Sequence, residues 1–103
     1  MRRAVRFGPE ASSELADASR WYEDRRPGLG SMFLEAVEAT VQSVASWPAS
    51  GTRVEGLADA LDVRRAPVSR YPYHLAYLVA DDEIHVLAVA HDHRRPTYWT
   101  GRA

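Results

Sequence analysis

The chain has 103 residues, of which 46% are hydrophobic and 26% charged, so it holds enough apolar material for a single domain with one core. It contains no cysteine, which excludes a disulfide scaffold, thiol chemistry and a cysteine-ligated zinc site. Thirteen arginines, with lysine absent, oppose 14 acidic residues and leave a formal net charge of −1. Such a balance is not typical of a protein whose bulk charge binds nucleic acid.

No apolar run approaches the roughly 18 residues that a membrane-spanning helix needs. The first residues include arginines but lack the hydrophobic stretch of a secretory signal. We therefore expect one cytoplasmic domain over residues 1–103 that does not contact a membrane.

The first half of the chain predicts a strand followed by two helices. Residues 3–7 alternate, with Val5 and Phe7 on one face, and Pro9 is suited to the first turn of a helix. The apolar stripe of this helix is Ala11, Leu15, Ala18 and Tyr22. A second helix runs from Pro27 to Trp47, and the short break between the two predicts an antiparallel hairpin. Residues 49–52 are predicted as a loop, and residues 53–60 are ambiguous.

The second half changes to the period of strands. Residues 61–68, 73–80 and 83–91 are predicted as strands, with Asp81 and Asp82 in the turn between the last two. The predicted order is β-α-α-β-β-β. It gives an α+β fold in two layers, a helical hairpin packed on a small, wholly antiparallel sheet of four strands.

The last two predicted strands are apolar on both faces, whereas two helices can cover only one. The second face must then be covered by the C-terminal tail, by another copy of the chain or by a partner.

Two features of the sequence carry candidate chemistry. His91, His93, Arg94, Arg95 and Tyr98 lie within eight residues and offer the acids, bases and phosphate-binding groups of metal-free RNA cleavage. Equally, they can form an exposed cluster with ion pairs. The spacing His91-x-His93 suits metal binding only if further ligands are present, so no metal or other cofactor is predicted. Glu14 and Asp17 are interpreted as part of a solvated helix face.

Several stretches, in this order, resemble one family over nearly the whole chain. They include the helix-opening segment 7–15, Trp21-Tyr22-Glu23 before Arg26-Pro27-Gly28-Leu29-Gly30, Phe33 and Val37, Val63-Arg64-Arg65, Arg70-Tyr71-Pro72-Tyr73 with Tyr77, the run Val86 to His91, and Arg94, Pro96, Tyr98-Trp99 and Arg102. The chain resembles the ParE branch of the RelE/ParE superfamily, the toxins of bacterial type II toxin–antitoxin pairs.

The resemblance implies a helical hairpin on a small antiparallel sheet and a co-encoded antitoxin as partner. It also implies one of two activities, inhibition of DNA gyrase or ribosome-dependent cleavage of messenger RNA. The absence of lysine and the net charge of −1 favour gyrase inhibition without catalysis, since a ribosome-directed nuclease needs a strong positive field. Cleavage of RNA is the alternative, and an interaction module without toxicity is a third hypothesis.

Each hypothesis names its own residues. For RNA cleavage, the candidate catalytic residues are Arg64, Arg65, His91, Arg94 and Tyr98. For gyrase binding, the target contact is Arg94, Arg95, Tyr98, Trp99 and Arg102. For antitoxin binding, the contact is Tyr73, Leu75, Tyr77, Leu87 and Val89.

Overall fold

A computed structural model describes residues 2–57, 60–95 and 98–103. Pro96, one residue of the family resemblance, lies outside these ranges. The elements in chain order are β1 Ala4–Phe7, α1 Pro9–Arg25, α2 Leu29–Ser46, a 3-10 turn Pro48–Ser50, β2 Thr52–Arg53, β3 Val63–Pro67, β4 Tyr73–Val79, β5 Glu83–His91 and a 3-10 turn Thr100–Arg102. The predicted strand, helical hairpin and three later strands are confirmed, with ends that differ by one or two residues.

The strands form one sheet in the order β1-β5-β4-β3-β2. Three of the four pairings are antiparallel, but β1 pairs with β5 in parallel, with Val5 opposite Ile84 and Phe7 opposite Val86. The expectation of four strands that are all antiparallel is therefore wrong. The cause is the two-residue strand β2. It lies where residues 49–52 are predicted as a loop and residues 53–60 are ambiguous. It adds one reversal of the chain, so the last strand runs in the same direction as the first.

The helical hairpin covers one face of the sheet and forms the main core there. Phe33 and Val37 of α2 are buried against Leu75, Val86 and Val89 of the central strands. Tyr22, Tyr71 and Tyr73 surround Phe33, with ring centroids 5.1 to 6.5 Å apart within this group. This aromatic group fixes the end of the hairpin to the end of the sheet where β4 begins and β5 finishes.

The C-terminal tail covers the opposite face of the sheet. Trp99 is 1% exposed and packs in a cluster with Val63, Ala76, Ala88 and Ala90. Partly buried side chains of the segment between β2 and β3, among them Val54 and Leu57, pack against the same cluster. The sequence pattern left three possible covers for this face: the C-terminal tail, another copy of the chain or a partner. In the structure, the C-terminal tail covers it.

The junction between the two helices depends on Glu23. Its carboxylate accepts hydrogen bonds from the backbone N–H groups of Gly28, at 3.1 Å, and Gly30, at 3.0 Å. Gly28 has φ +96°, a left-handed conformation that favours glycine, and it makes the reversal between the helices. At Gly30 a Cβ would stand 2.8 Å from the carbonyl oxygen of Ser19, so the close helix contact requires glycine there. Glu23 and Gly28-Leu29-Gly30, which belong to the family resemblance, are therefore explained by the contacts at the junction between the two helices.

Glu23→Ala is expected to lower the free energy of unfolding by about 1 kcal/mol, because the first N–H groups of α2 lose their acceptor. Denaturant unfolding measures the change. Asp24→Ala, at an exposed neighbouring position on the same helix, is the matched control and should change stability by less than about 0.5 kcal/mol. Equal effects of the two substitutions would contradict the capping role of Glu23.

Candidate functional site

A polar contact joins helix α1, strand β5 and the C-terminal tail at Glu14. Its Oε1 accepts hydrogen bonds from the Val89 N–H at 3.1 Å and from Arg102 at 2.9 Å. Its Oε2 accepts from the Tyr98 hydroxyl at 2.6 Å and from the second terminal nitrogen of Arg102 at 3.2 Å. Arg102 also donates to the carbonyl of Leu87 at 3.0 Å. We call this group, Glu14, Tyr98 and Arg102, the tail clasp.

The electrostatics of the tail clasp follow from its partial burial. Burial and the hydrogen bond to Glu14 raise the pKa of Tyr98 to about 12. The hydrogen bond to Glu14 also raises the pKa of Arg102. The side chains of Glu14 and Arg102 are 19% and 22% exposed, so their bidentate ion pair is largely shielded from water. Tyr98 therefore stays protonated and Arg102 charged under any physiological condition, as a structural contact requires.

This geometry changes the roles expected for the tail. Of the five side chains named as the target contact, Trp99 is buried, and Tyr98 and Arg102 belong to the tail clasp. These three hold the tail in place and are not exposed anchors for a partner. Arg94 and Arg95 remain exposed. Arg94 stacks on the ring of Tyr98, with its guanidinium carbon 4.1 Å from the ring centroid.

A groove of ≈ 490 Å³ lies between α1 and the end of the sheet at which β5 finishes. Trp21, half exposed, stands on its helix side with the Arg25 guanidinium 3.7 Å above the ring. The residues that line the groove are Glu14, Asp17, Ala18, Trp21, Tyr22, Pro72, Tyr73, Val89, His91 and Arg94. We call it the α1–β5 groove. It brings together one acidic wall from α1, one basic wall from the end of β5, and aromatic rings between them.

The candidate residues for RNA cleavage do not converge on one point. Arg64 lies opposite Tyr77 on β4 and His91 lies opposite Tyr73, so about 13 Å of strand separates their levels in the sheet. The Arg64 guanidinium is engaged by Asp62 at 2.9 Å and by two loop carbonyls.

The other members of that set are also separated or occupied. Arg65, beside Arg64 in sequence, points to the opposite face of the sheet because successive residues of a strand alternate. The hydroxyl of Tyr98 is engaged by Glu14, and Nδ1 of His91 accepts from the backbone N–H of His93 at 3.1 Å. Only His91, Arg94 and Tyr98 are neighbours at the end of β5.

The five residues predicted to contact an antitoxin are mostly core residues. Leu75 and Tyr77 are fully buried, Val89 is 2% exposed and Leu87 is 7% exposed. The first three lie under the helical hairpin, and Leu87 lies in the Trp99 cluster. A partner cannot reach these four side chains in the folded chain, because the hairpin and the tail cover the two faces. Only Tyr73 is partly accessible, at the α1–β5 groove.

Tyr77 has a second role that the strand pattern did not indicate. Its hydroxyl donates to the carbonyl of Pro48 at 2.7 Å and accepts from the N–H of Gly51 at 3.1 Å. Burial raises its pKa. The residue therefore holds the loop that follows α2 onto the sheet.

Sequence reasoning missed Glu14 and Trp21. Glu14 was interpreted as part of a solvated face, yet its partners Tyr98 and Arg102 lie 84 and 88 residues away. Spacing within one helix carries no signal for contacts so distant in sequence. Trp21 was named only within the Trp21-Tyr22-Glu23 segment of the family resemblance, without a role of its own.

The described ranges contain no group of three or more histidine or acidic side chains placed to hold a metal ion. Within the same ranges, each helix is too short or too polar to cross a membrane.

Comparisons with known proteins agree with this architecture. The family model for the ParE toxin of the type II toxin–antitoxin system parDE matches residues 5–96. A solved structure described as a chromosomal ParDE TA system from P. aeruginosa superimposes with a TM-score of 0.71, covering 87% of this chain and 96% of that chain. The sequence identity is 15%, so this likeness concerns the fold. A search of curated proteins found no match.

The fold and the family match together define a small toxin-type α+β domain with a helical hairpin on a mostly antiparallel sheet. The chain belongs to the ParE toxin family of type II toxin–antitoxin systems. Its partner is accordingly an antitoxin, and the resemblance stated from the sequence is confirmed.

Proposed function

We propose that the chain acts in the cytoplasm as a toxin that binds DNA gyrase and inhibits it without catalysis. The observation that carries this proposal is the separation of the cleavage residues, with Arg64 engaged by a loop and Tyr98 by Glu14. General acid–base cleavage needs its groups within hydrogen-bond reach of one scissile phosphate. A toxin that works by binding needs only an accessible surface.

The surface proposed for gyrase is the α1–β5 groove. Exposed aromatic and arginine side chains supply most of the energy at protein interfaces, and Trp21 and Arg94 are both exposed at its rim. Tyr73 and His91 extend the surface along the end of the sheet, with ring centroids 5.0 Å apart. Arg95, the other exposed residue of the predicted target contact, follows directly in sequence.

The antitoxin is proposed to cover the helical hairpin beside β1. A second, mainly apolar groove of ≈ 450 Å³ lies there, lined by Phe7, Leu15, Leu34, Glu35, Val37, Glu38 and Val41. Leu34 is 42% exposed, and the two glutamates give the rim a negative charge. An amphipathic helix with basic residues beside its apolar stripe fits this chemistry. We propose this groove as the antitoxin contact in place of the predicted strand residues, because Leu75, Tyr77, Leu87 and Val89 are buried.

Inhibition of gyrase supercoiling by the purified chain tests the proposal. Trp21→Ala and Arg94→Ala should each weaken inhibition about tenfold or more, because each removes an interface anchor worth about 2 kcal/mol. Arg2→Ala is the matched control and should leave inhibition unchanged. Arg2 is exposed beyond the start of β1, at the opposite end of the sheet from His91.

The alternative activity gives a different pattern. Ribosome-dependent cuts in messenger RNA that disappear in His91→Ala or Tyr98→Phe, with supercoiling unaffected by the wild-type chain, would refute the gyrase proposal. That result would assign the chain to the nuclease branch.

A further inference from the structure

A second site lies on the sheet face opposite the helical hairpin. It is a shallow pocket of ≈ 310 Å³ lined by Thr52, Arg65, Pro67, His74 and Asp92. Arg65 and Pro67 lie on β3 opposite Ala76 and His74, which places these side chains on the Trp99 face of the sheet. The pocket is thus separate from the α1–β5 groove, which is on the other face.

The pocket holds a histidine oriented by a carboxylate. Nδ1 of His74 is 2.9 Å from Oδ1 of Asp92, and the His74 side chain is 18% exposed. Asp92 is itself fixed, since its N–H donates to the carbonyl of Pro72 at 2.8 Å. The Asp92 carboxylate accepts a hydrogen bond from the proton on Nδ1 and leaves Nε2, on the far edge of the ring, free; in the doubly protonated ring, Nε2–H is a donor to a ligand.

Arg65 supplies the second group. It is exposed on β3, and within the described residues its guanidinium makes no ion pair or hydrogen bond. An arginine beside the oriented imidazole, when the ring carries both protons, presents the planar fork and the single Nε2–H donor that phosphate oxygens can accept from. Thr52 of β2 adds a hydroxyl at the same pocket.

The surroundings of the pocket are positively charged. We define the basic end as residues 65–74 and 91–95, which the pairing of β4 with β3 and β5 brings together. It contains four arginines, of which Arg94 lines the α1–β5 groove, and only one acidic residue, Asp92. The acidic side chains of α1 face the α1–β5 groove on the opposite side of the sheet. A chain with net charge −1 therefore carries a locally basic surface that its total charge conceals.

We propose that Arg65 and His74, the latter oriented by Asp92, bind a phosphate of a nucleic-acid backbone. An open, shallow pocket within a wider basic surface suits a ligand that carries several phosphates in a row, because neighbouring phosphates then meet Arg70 and Arg95. A free phosphate ester would gain only the pocket itself. The inference concerns this chain's own surface and does not depend on gyrase being the target.

Binding of the full chain to fluorescent oligonucleotides at low salt tests this inference, with a mixed-sequence duplex DNA and a single-stranded RNA as separate probes. Arg65→Gln and His74→Ala should each weaken binding about tenfold, because each removes a hydrogen-bond donor to the phosphate. Arg65→Gln should also lower the slope of log affinity against log salt by about one, because it removes a positive charge. Arg2→Ala removes the same charge at the opposite end of the sheet and should leave binding within twofold. The probe that shows the tenfold loss identifies the nucleic acid.

Two outcomes would overturn the inference. In the first, Arg65→Gln binds both probes as tightly as the wild type, or Arg2→Ala weakens binding equally. In the second, inorganic phosphate perturbs the His74 imidazole resonances while neither oligonucleotide binds. Arg65→Gln changes an exposed side chain, so it keeps the test valid even if His74→Ala disturbs folding.

Discussion

Trp99→Ala is expected to lower the free energy of unfolding by about 3–5 kcal/mol, the usual cost of removing a large buried aromatic side chain. Trp99 is 1% exposed and packs in the cluster with Val63, Ala76, Ala88 and Ala90. Without it, the second apolar face of the sheet loses its largest covering side chain. Denaturant unfolding followed by circular dichroism measures the loss.

Trp47 provides a matched control for Trp99. It is 73% exposed at the end of α2, so Trp47→Ala should change stability by less than about 0.5 kcal/mol. Comparable effects at both tryptophans would show that the tail does not cover the sheet. The variant Trp99→Ala should also self-associate, because an exposed apolar face favours aggregation. The wild-type chain lacks this open face, because Trp99 and its neighbours cover it.

Glu14→Ala is expected to cost about 3 kcal/mol, since it leaves the charge of Arg102 largely shielded and without its carboxylate. The N–H of Val89 and the hydroxyl of Tyr98 lose their acceptor at the same time. Glu10→Ala, an exposed glutamate one turn earlier on α1, should have little effect. If Glu14→Ala were as stable as Glu10→Ala, the tail clasp would not stabilise the fold.

The same contact controls stability at alkaline pH. The pKa of Tyr98 is raised from 10.0 to about 12, so its protonated form stabilises the folded chain. That stabilisation is complete below about pH 10 and is lost as the pH rises through about 12. In Glu14→Ala, ultraviolet titration should show Tyr98 ionising at lower pH, because its hydrogen bond to the carboxylate is gone. An unchanged tyrosine titration would contradict the contact.

The tail clasp also changes how truncation experiments are interpreted. Removal of the tail from Arg94 onward deletes both Trp99 and Arg102, so lost toxicity would follow from unfolding as well as from a lost target contact. Point substitutions at Trp21 and Arg94 separate the two causes, because both side chains are exposed.

Local patterns in the sequence determined the elements of this protein. Pro9 and the apolar stripe of α1, the Pro27-Gly28 break and the alternation of residues 73–80 and 83–91 predicted two helices and the main strands. These signals suffice because helix and strand periodicity are properties of neighbouring residues. The order of elements then favoured a hairpin on a sheet, and the resemblance to the toxin family followed the same residues.

Only the tertiary structure decided the direction of β1 against β5, the cover of the second sheet face and the site residues. A two-residue strand carries no periodicity, yet β2 sets the direction of every later strand. The contacts of Glu14 with Tyr98 and Arg102, and of His74 with Asp92, join residues 18 to 88 positions apart. Such contacts depend on how the elements pack, and a local pattern does not encode that packing.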